Sequence, residues 1–168
     1  PDATTQNSQS IHWGDPLTIP IEETTTTRFY YINVNGLKIH NDGSDIKLST
    51  HHLWERQASV IGFSETNLEW KHSWATNLVF QIFRQQWNHL KWCHSTSATK
   101  FSSHYKPGGT CSLVTGSLAS RVLSTGSDPL GRWSYITITG RSRIITITAY
   151  CPPIQSIESA GPQTSYFQ

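Results

Sequence analysis

The chain has 168 residues, of which 36% are hydrophobic and 11% aromatic, and its 13 Lys and Arg against 11 Asp and Glu give a formal charge of +2. This length allows one domain with a real core and excludes two of ordinary size. Seven Trp argue against global disorder. The small net charge excludes a strongly basic surface, which by itself would indicate a polyanionic partner. Binding to nucleic acid must therefore be argued from a specific site.

The spacing of the cysteines and histidines indicates the cellular compartment and limits the metal sites that can be expected. Cys93, Cys111 and Cys151 stand far apart without a CxxC pair, which argues against a disulfide framework and favours an intracellular, reducing compartment. Of eight His, only His51 and His52 are adjacent, unlike the spaced ligand pairs of a zinc module. No apolar run approaches the roughly 18 residues of a membrane-spanning helix, so no membrane partner is expected. The first residue is not Met, which suggests a fragment or a processed product.

The N-terminal part divides into a polar leader and a strand. Residues 1–27 are rich in Thr, Gln, Asn, Ser and Pro, and we interpret them as flexible. The aromatic and β-branched segment from Phe29 to Asn35 predicts a buried strand that ends at Gly36. Because strand side chains alternate, Asn33 and Asn35 are expected on one face and their apolar neighbours on the other. Both amides should then lie at the exit of this strand.

Two helices and a second strand are predicted next. After a turn at 41–43, the pattern predicts a helix over 45–57 with Asp45 as its N-cap. The short apolar segment 58–64 predicts a buried strand that delivers Glu65 at its exit. An apolar stripe at intervals of three and four then predicts a helix over 72–91 that packs on a sheet.

The C-terminal half changes to the period of β-structure. Turn signals containing Pro, Gly and Asp divide it into four predicted strands, 110–115, 120–125, 132–139 and 143–150. In the last two, Ile alternates with Thr, which is typical of strands with one buried and one more polar face. We expect these two strands to pair as a hairpin, with Tyr150 at the exit of the second.

Polar side chains therefore stand at three predicted strand exits: Asn33 with Asn35, Glu65, and Tyr150. Strand ends that face a common loop surface are where α/β proteins commonly build sites. Each residue also has a structural explanation, because Asn and Glu often form turns or stay solvated and Tyr often packs on the rim of a sheet. The set favours a shared metal or phosphate site as a hypothesis.

Three motifs, in order, resemble the opening motifs of the endonuclease/exonuclease/phosphatase superfamily. They are YINVNGL at 31–37, VIGFSETNL at 60–68 and IITITAYCPP at 144–153. Between the last two, KPGGTCSLV and DPLGRWSYITI resemble its glycine-led strand and following hairpin, particularly in endonuclease domains of non-LTR retrotransposons. The resemblance covers about Phe29 to Pro153. It implies a partial α/β domain over 28–168, the N-terminal part of a four-layered sandwich with two facing mixed sheets flanked by helices.

The resemblance also implies magnesium-assisted hydrolysis of a phosphodiester or phosphomonoester, with Mn²⁺ as a possible substitute, and most concretely a retroelement endonuclease that nicks DNA in the nucleus. By motif position, the catalytic residues are Asn33, which holds the phosphate, Glu65, which ligates the metal, and Tyr150. Asn35 and Arg132 are expected to bind substrate. The chemistry agrees, because Mg²⁺ takes oxygen ligands and because a phenol or an amide can stabilise developing negative charge.

The later motifs of the superfamily, an Asp-x-Asn after a Gly and a terminal Ser-Asp-His, are absent, so no general base is assigned. We therefore expect half of an active site, which should not turn over substrate alone. Half of a two-sheet sandwich is also expected to leave the inner face of its first sheet uncovered. The chain alone is accordingly predicted to be poorly soluble or molten.

Other functions stay open. The chain could be a decayed remnant whose surface at most binds another protein, or an enzyme of the same superfamily that hydrolyses inositol phosphates or sphingomyelin. Reading the gene downstream of Gln168 for the missing motifs would separate the first of these from an endonuclease. Trp70, Lys71, Arg132 and Trp133 could contact phosphate or stack on bases, although packing is the commoner use of Trp. No stable protein partner can be inferred.

Overall fold

The computed structural model describes residues 26–39, 43–96 and 108–150. These residues form two sheets and two α-helices, and neither helix is long and apolar enough to cross a membrane. The leader interpreted at 1–27 lies outside the described residues up to position 25, as do positions 41 and 42 of the predicted turn. In chain order the elements are β1 Phe29–Asn33, α1 Ser44–Glu55, β2 Val60–Ser64, α2 Ser73–Arg84, β3 Leu90–Ser95, β4 Thr110–Thr115, a 3₁₀ turn Gly116–Arg121, β5 Val122–Ser127, β6 Trp133–Ile138 and β7 Ile144–Ala149.

The first sheet has four strands in the order β1-β2-β4-β3. β1 and β2 run parallel, while β4 pairs antiparallel with both β2 and β3. The parallel pair is connected through α1, a crossover of the kind that parallel neighbours require. The carboxyl ends of β1 and β2 therefore meet at one edge, together with the beginning of β4.

Both helices cover the outer face of this sheet and form the main hydrophobic core. The α2 stripe predicted from its period of three and four is buried there, with Phe83 at 0% exposure. It packs on alternate side chains of the two central strands, because successive strand residues point to opposite faces. The core residues on these helices and strands are Ile46 and Leu53 from α1, Ala75, Val79, Phe80, Ile82 and Phe83 from α2, Ile61 and Phe63 from β2, and Cys111 and Leu113 from β4.

The second sheet, β5-β6-β7, is antiparallel and packs on the inner face of the first. Val60 and Val114 of the first sheet meet Ile136 and Ile138 of the second in a small apolar cluster. The expectation that the inner face of the first sheet is uncovered is thus wrong for β2, β3 and β4. On β1 it holds, because Phe29 and Tyr31 share the face of Val60 and are 44% and 51% exposed, so the strand predicted to be buried is largely exposed. The described residues form three layers, helices, mixed sheet and antiparallel sheet, of the expected α/β sandwich.

Much of the interface between the sheets is polar. The Ser112 hydroxyl donates to Thr148 Oγ1 over 2.8 Å and shares a hydrogen bond with Ser134 Oγ over 2.9 Å. Thr110 Oγ1 donates to the same Ser134 oxygen over 3.0 Å. Because each buried hydroxyl in this network has a partner, the usual cost of burying it is offset.

Helix α2 ends earlier than predicted, and β3 is a strand that the sequence pattern missed. The apolar stripe continues past Arg84 through Trp87 and Leu90 at helical spacing, which extended the predicted helix to Lys91. The chain instead turns after Arg84 and pairs along β4 over six residues, from Leu90 to Ser95. Pairing with a distant strand overrides the local period here, since strand formation depends on the neighbouring chain.

The isoleucines of β7 point outward, whereas those of β6 point inward. The hairpin pairing of the two is confirmed, and Ile136 and Ile138 of β6 point inward as a buried apolar face. In β7 the inward residues are Thr146 and Thr148, whereas Ile145 and Ile147 lie on the outer face. The apolar side chains of β7 are therefore exposed on the outside of the second sheet.

The remaining element boundaries agree with the predictions to within about two residues. The N-cap of α1 is Gly43 in a left-handed conformation, so the predicted N-cap Asp45 lies in the first turn instead. A carboxylate in the first turn is favourable there because the N-terminal end of the helix dipole is positive. Cys93 and Cys111 carry free thiols, and Cys151 lies outside the described residues.

Candidate active site at the strand exits

A row of backbone hydrogen bonds brings the predicted site residues to one edge of the sandwich. The Gly36 amide, one residue after Asn35, donates to the Glu65 carbonyl over 2.7 Å. The amide of Thr66, the residue after Glu65, donates to the Gly109 carbonyl over 3.1 Å. The Gly109 amide in turn donates to the Gly131 carbonyl over 2.9 Å.

The last hydrogen bond of the row lies at the edge of the second sheet, where the Tyr150 amide donates to the Arg132 carbonyl over 2.7 Å. Arg132 follows Gly131 directly, so one continuous series of contacts joins both sheets at this edge. The structure thus places Asn33, Asn35, Glu65, Arg132 and Tyr150 along the same end of the sandwich.

The two asparagines form a turn rather than the end of a straight strand. β1 ends at Asn33, whose Oδ1 accepts a hydrogen bond from the Asn35 amide over 3.0 Å. Asn35 has φ 43°, in the left-handed region that Asn tolerates better than most residues. The predicted strand to Asn35 is therefore two residues too long. The side-chain oxygen Oδ1 of Asn33 thus holds this turn, and both asparagine side chains are exposed.

The loop after β2 is held in an unusual conformation. Glu65 and Asn67 have φ 56° and 53°, and Thr66 between them is fully buried. Left-handed non-glycine residues are strained and cluster at functional sites. Thr66 anchors the loop, since its Oγ1 accepts a hydrogen bond from Trp70 Nε1 over 3.1 Å. Trp70 is 2% exposed, so of its two predicted uses, packing is the one that the structure supports.

Two glycines let the following loop approach closely. Gly108 and Gly109 have φ 92° and 83°. A side chain at Gly109 would lie 2.6 Å from Thr66 Oγ1, and one at Gly108 would lie 3.4 Å from the Tyr150 ring. The absence of a side chain at Gly109 therefore allows the close approach of Thr66, whereas the left-handed φ is what favours glycine at position 108.

Arg132 is tied to a buried carboxylate. Its Nε donates to Asp128, which is 3% exposed and also accepts a hydrogen bond from the Leu130 amide over 2.8 Å. The Ser95 hydroxyl donates to the Asp128 carbonyl, which connects this turn to the end of β3. Arg132, the residue predicted to contact substrate, thus fixes the turn before β6.

The donor set fits a hard cation in part. Glu65 supplies a carboxylate at the strand exit, and Asn33 and Asn35 supply amide groups nearby. Mg²⁺ is commonly held by only one or two carboxylates, with water and substrate phosphate completing its coordination. Within 26–39, 43–96 and 108–150, no group of three or more His, Cys, Asp and Glu side chains could hold a metal ion.

A partly buried histidine lies next to Trp70, which supports the loop. The ring of His94 stacks on Trp70 with centroids 5.1 Å apart, and burial lowers the pKa of His94 below its usual 6.5. The unfolded chain then binds a proton more readily than the folded one, so the stability contributed by neutral His94 is present above about pH 6.5 and is lost as the pH falls below it. We expect the H94F variant to show a smaller drop in urea stability between pH 7 and pH 5 than the wild type. Equal drops in the two proteins would contradict this.

Sequence reasoning missed three residues of this edge. Asp128 lies in the motif DPLGRWSYITI, where no local pattern marks it as the partner that holds Arg132. Gly109 was recognised as a turn signal and not as the centre of the hydrogen-bond row. Asn67 is the third: the oxygen and the nitrogen of its side-chain amide are both buried without a hydrogen-bond partner, and its Nδ2 would lie 3.3 Å from a side chain at Gly36. The sequence carried a weak signal for Asn67, its place within the motif that contains Glu65.

Solved structures with the same arrangement of elements are found. An endonuclease/exonuclease/phosphatase family protein from Leptotrichia buccalis superposes with a TM-score of 0.53 at 15% identity, over 74% of this chain and 53% of that one. An AP endonuclease from Archaeoglobus fulgidus gives 0.55 at 16% identity, over 84% and 48%. The 3′ phosphatase NExo from Neisseria, bound to a product DNA hairpin, gives 0.52 at 14% identity, over 84% and 49%.

This chain has the fold of the endonuclease/exonuclease/phosphatase superfamily. The fold expected from the three sequence motifs is confirmed. No model of a known protein family and no curated protein sequence matches the chain. The chain spans about half the length of the three superfamily structures, 53%, 48% and 49% of them.

Proposed function

We propose that this chain provides the metal- and phosphate-binding part of a Mg²⁺-dependent phosphodiesterase that acts on DNA. Glu65 ligates the metal, and Asn33 and Tyr150 donate hydrogen bonds to the phosphate. Asn35 and Arg132 contact the substrate. The motif resemblance further suggests an endonuclease of a retroelement, which would act in the nucleus.

The observation that carries the proposal is the row of backbone hydrogen bonds at the strand exits. It brings together residues as distant in sequence as Asn35 and Tyr150, through contacts of 2.7 to 3.1 Å. Such a row fixes the positions of the side chains that project from it, and fixed donors stabilise charge better than mobile ones because they need no reorganisation. The strained φ of Glu65 and Asn67 supports the same interpretation, since unfavourable backbone conformations are retained mostly where function requires them.

A binding experiment on this chain tests the metal assignment. Affinity for a fluorescently labelled DNA duplex is measured by anisotropy, in Mg²⁺ and in EDTA. We expect Mg²⁺ to increase the affinity of the wild type for DNA. In the E65Q variant this increase should be smaller by a factor of roughly ten or more, because removing a direct ligand costs at least as much as removing a residue that supports one.

The matched control is E55Q. Glu55 is an exposed glutamate on α1 that contacts His51 and His52 over 3.2 and 3.4 Å, away from the strand exits. E55Q should retain the full effect of Mg²⁺. An undiminished effect in E65Q would overturn the assignment of Glu65 as metal ligand, and a wild-type affinity that is independent of Mg²⁺ would overturn the proposed function.

A further inference from the structure

A groove of about 450 Å³ lies at the end of the sandwich opposite the candidate active site. It is formed where α2 leads into β3, and the 3₁₀ turn Gly116–Arg121 closes its other side. β3 runs from this groove at Leu90 to Ser95 at the strand-exit edge, and a strand of six residues spans roughly 20 Å. The groove is therefore separate from the residues proposed to bind the metal. We call the space between Arg84, Trp87, His89, Lys91, Ala119 and Ser120 the basic groove.

The walls of the basic groove are fixed by the hydrophobic core. Trp87 is 8% exposed and stacks on Phe83 of α2, with ring centroids 5.7 Å apart. On the opposite wall, Ala119 is buried. The Gly116 amide donates to the His89 carbonyl over 2.9 Å, which joins the two walls. The groove therefore has a defined shape in the folded chain.

Two cationic side chains line the basic groove without an acidic partner. The guanidinium carbon of Arg84 lies 5.5 Å from the centroid of the Trp92 ring. Such stacking uses the flat face of the guanidinium, so the N–H donors in its plane stay available for a ligand. Lys91 supplies the second charge. In the part of the chain that the structure describes, no carboxylate lines the groove or forms an ion pair with either cation.

The unpaired charges indicate an anionic ligand, and their number indicates which kind. A phosphomonoester carries about 1.5 to 2 negative charges at neutral pH, which two cations match, whereas each phosphodiester of a nucleic-acid backbone carries one. The paired donors of a guanidinium also fit two phosphate oxygens. A volume of about 450 Å³ exceeds that of a phosphate group alone and lies within the range of about 300–1,000 Å³ that is typical of small-ligand sites.

We propose that the basic groove binds a phosphomonoester, carried either by a small molecule or by the end of a nucleic-acid strand. Arg84 and Lys91 bind the phosphate oxygens, and the apolar walls at Trp87 and Ala119 contact the group that bears the phosphate. The formal charge of +2 gives no sign of this site, because net charge averages over the whole chain. The site does not depend on the proposed catalytic function.

Titration calorimetry with deoxyadenosine 5′-monophosphate, in buffer without divalent cations, tests the site. We expect saturable binding of the nucleotide, no binding of deoxyadenosine, and slowed amide exchange confined to residues 84–91 and 116–120. The R84Q/K91Q variant should bind the nucleotide about tenfold more weakly, or not at all, because the loss of even one hydrogen bond to a charged group commonly has an effect of that size. If this variant unfolds, K91Q carries the same comparison.

The matched control is R141Q/R143Q, which removes the same charge. Arg141 and Arg143 are exposed in the turn between β6 and β7 and do not line the groove. This variant should bind the nucleotide as the wild type does. Equal weakening in the two double variants would mean that diffuse charge attracts the nucleotide, and would overturn the site. Loss of binding in E65Q would place the nucleotide at the strand exits and overturn it as well.

A short oligodeoxythymidine, with and without a 5′ phosphate, distinguishes the two sources of the phosphomonoester. A phosphorylated strand that binds more tightly than the nucleotide assigns the group to a strand end, and one that binds no more tightly assigns it to a small molecule. If the unphosphorylated strand binds with the same affinity as the phosphorylated one, and R84Q/K91Q abolishes both, backbone diesters are the ligand and the proposal is wrong.

Discussion

The G109A variant is expected to lose about 3 kcal/mol of unfolding free energy, a large share of the stability of a domain of this size. Gly109 has φ 83°, and a left-handed conformation costs a residue with a side chain about 1–2 kcal/mol. The new methyl group would also lie 2.6 Å from Thr66 Oγ1. Thr66 is fully buried and bonded to Trp70, so it cannot move aside, and overpacking typically adds about 1–3 kcal/mol.

The G116A variant separates the two contributions. Gly116 also has a left-handed φ, 62°, but a side chain there would meet nothing within 4 Å. G116A should therefore lose only about 1 kcal/mol, from backbone strain alone. Urea denaturation measures both. Equal losses would show that the contact between Gly109 and Thr66 contributes nothing. Because Gly109 is also a link in the row of backbone hydrogen bonds, G109A should weaken Mg²⁺-dependent DNA binding, whereas G116A should not.

Those parts of the fold that depend on local pattern were predictable from the sequence. The α2 stripe and the apolar run of β2 each belong to an element that buries one continuous face, so a period of 3.6 or a short apolar run identifies it. The placement of Asn33 and Glu65 at one edge followed from their positions at the ends of successive strands. β1 and β2 are parallel neighbours, which brings equivalent strand ends together.

Strand β3 and the orientation of β7 were not predictable in the same way. Trp87 and Leu90 satisfy a helical period, and only the pairing of Leu90–Ser95 with β4 decides against a helix. Alternation in β7 predicts two different faces without saying which is inside. The choice depends on Ser112 of the other sheet, whose hydroxyl accommodates a buried Thr148. Long-range partners of this kind leave no local signal.

The residues that support the site were harder to find than those at its surface. Glu65 and Tyr150 stand out because a polar group follows an apolar strand. Asp128 stands in a Ser-Asp-Pro turn that resembles any solvated loop. Its burial depends on how the turn before β6 folds against Ser95 at the end of β3. A supporting residue is therefore visible only once the loop geometry is known.

The R132M variant is expected to lose about 2 kcal/mol of unfolding free energy. Removing one member of a fully buried ion pair typically costs about 3–5 kcal/mol, because the other charge is left uncompensated. The Asp128 side chain is 2% exposed but that of Arg132 is 28% exposed, so solvent reduces the effect. D128N should restore most of the stability in the double variant D128N/R132M, since an amide oxygen can still accept from the Leu130 amide and no charge remains buried.

The same pair of variants separates two roles of Arg132. If its guanidinium also contacts a DNA phosphate, the loss of affinity in R132M should persist in D128N/R132M although stability returns. A single arginine–phosphate contact should also lower the slope of log affinity against log salt by about 1. If both stability and affinity return in the double variant, Arg132 acts only by holding the turn, and the prediction that it binds substrate is wrong. The control R121M replaces an arginine whose Nε donates to the Thr139 carbonyl over 2.7 Å. Arg121 lies at the other end of β5, and its loss should leave the salt slope unchanged.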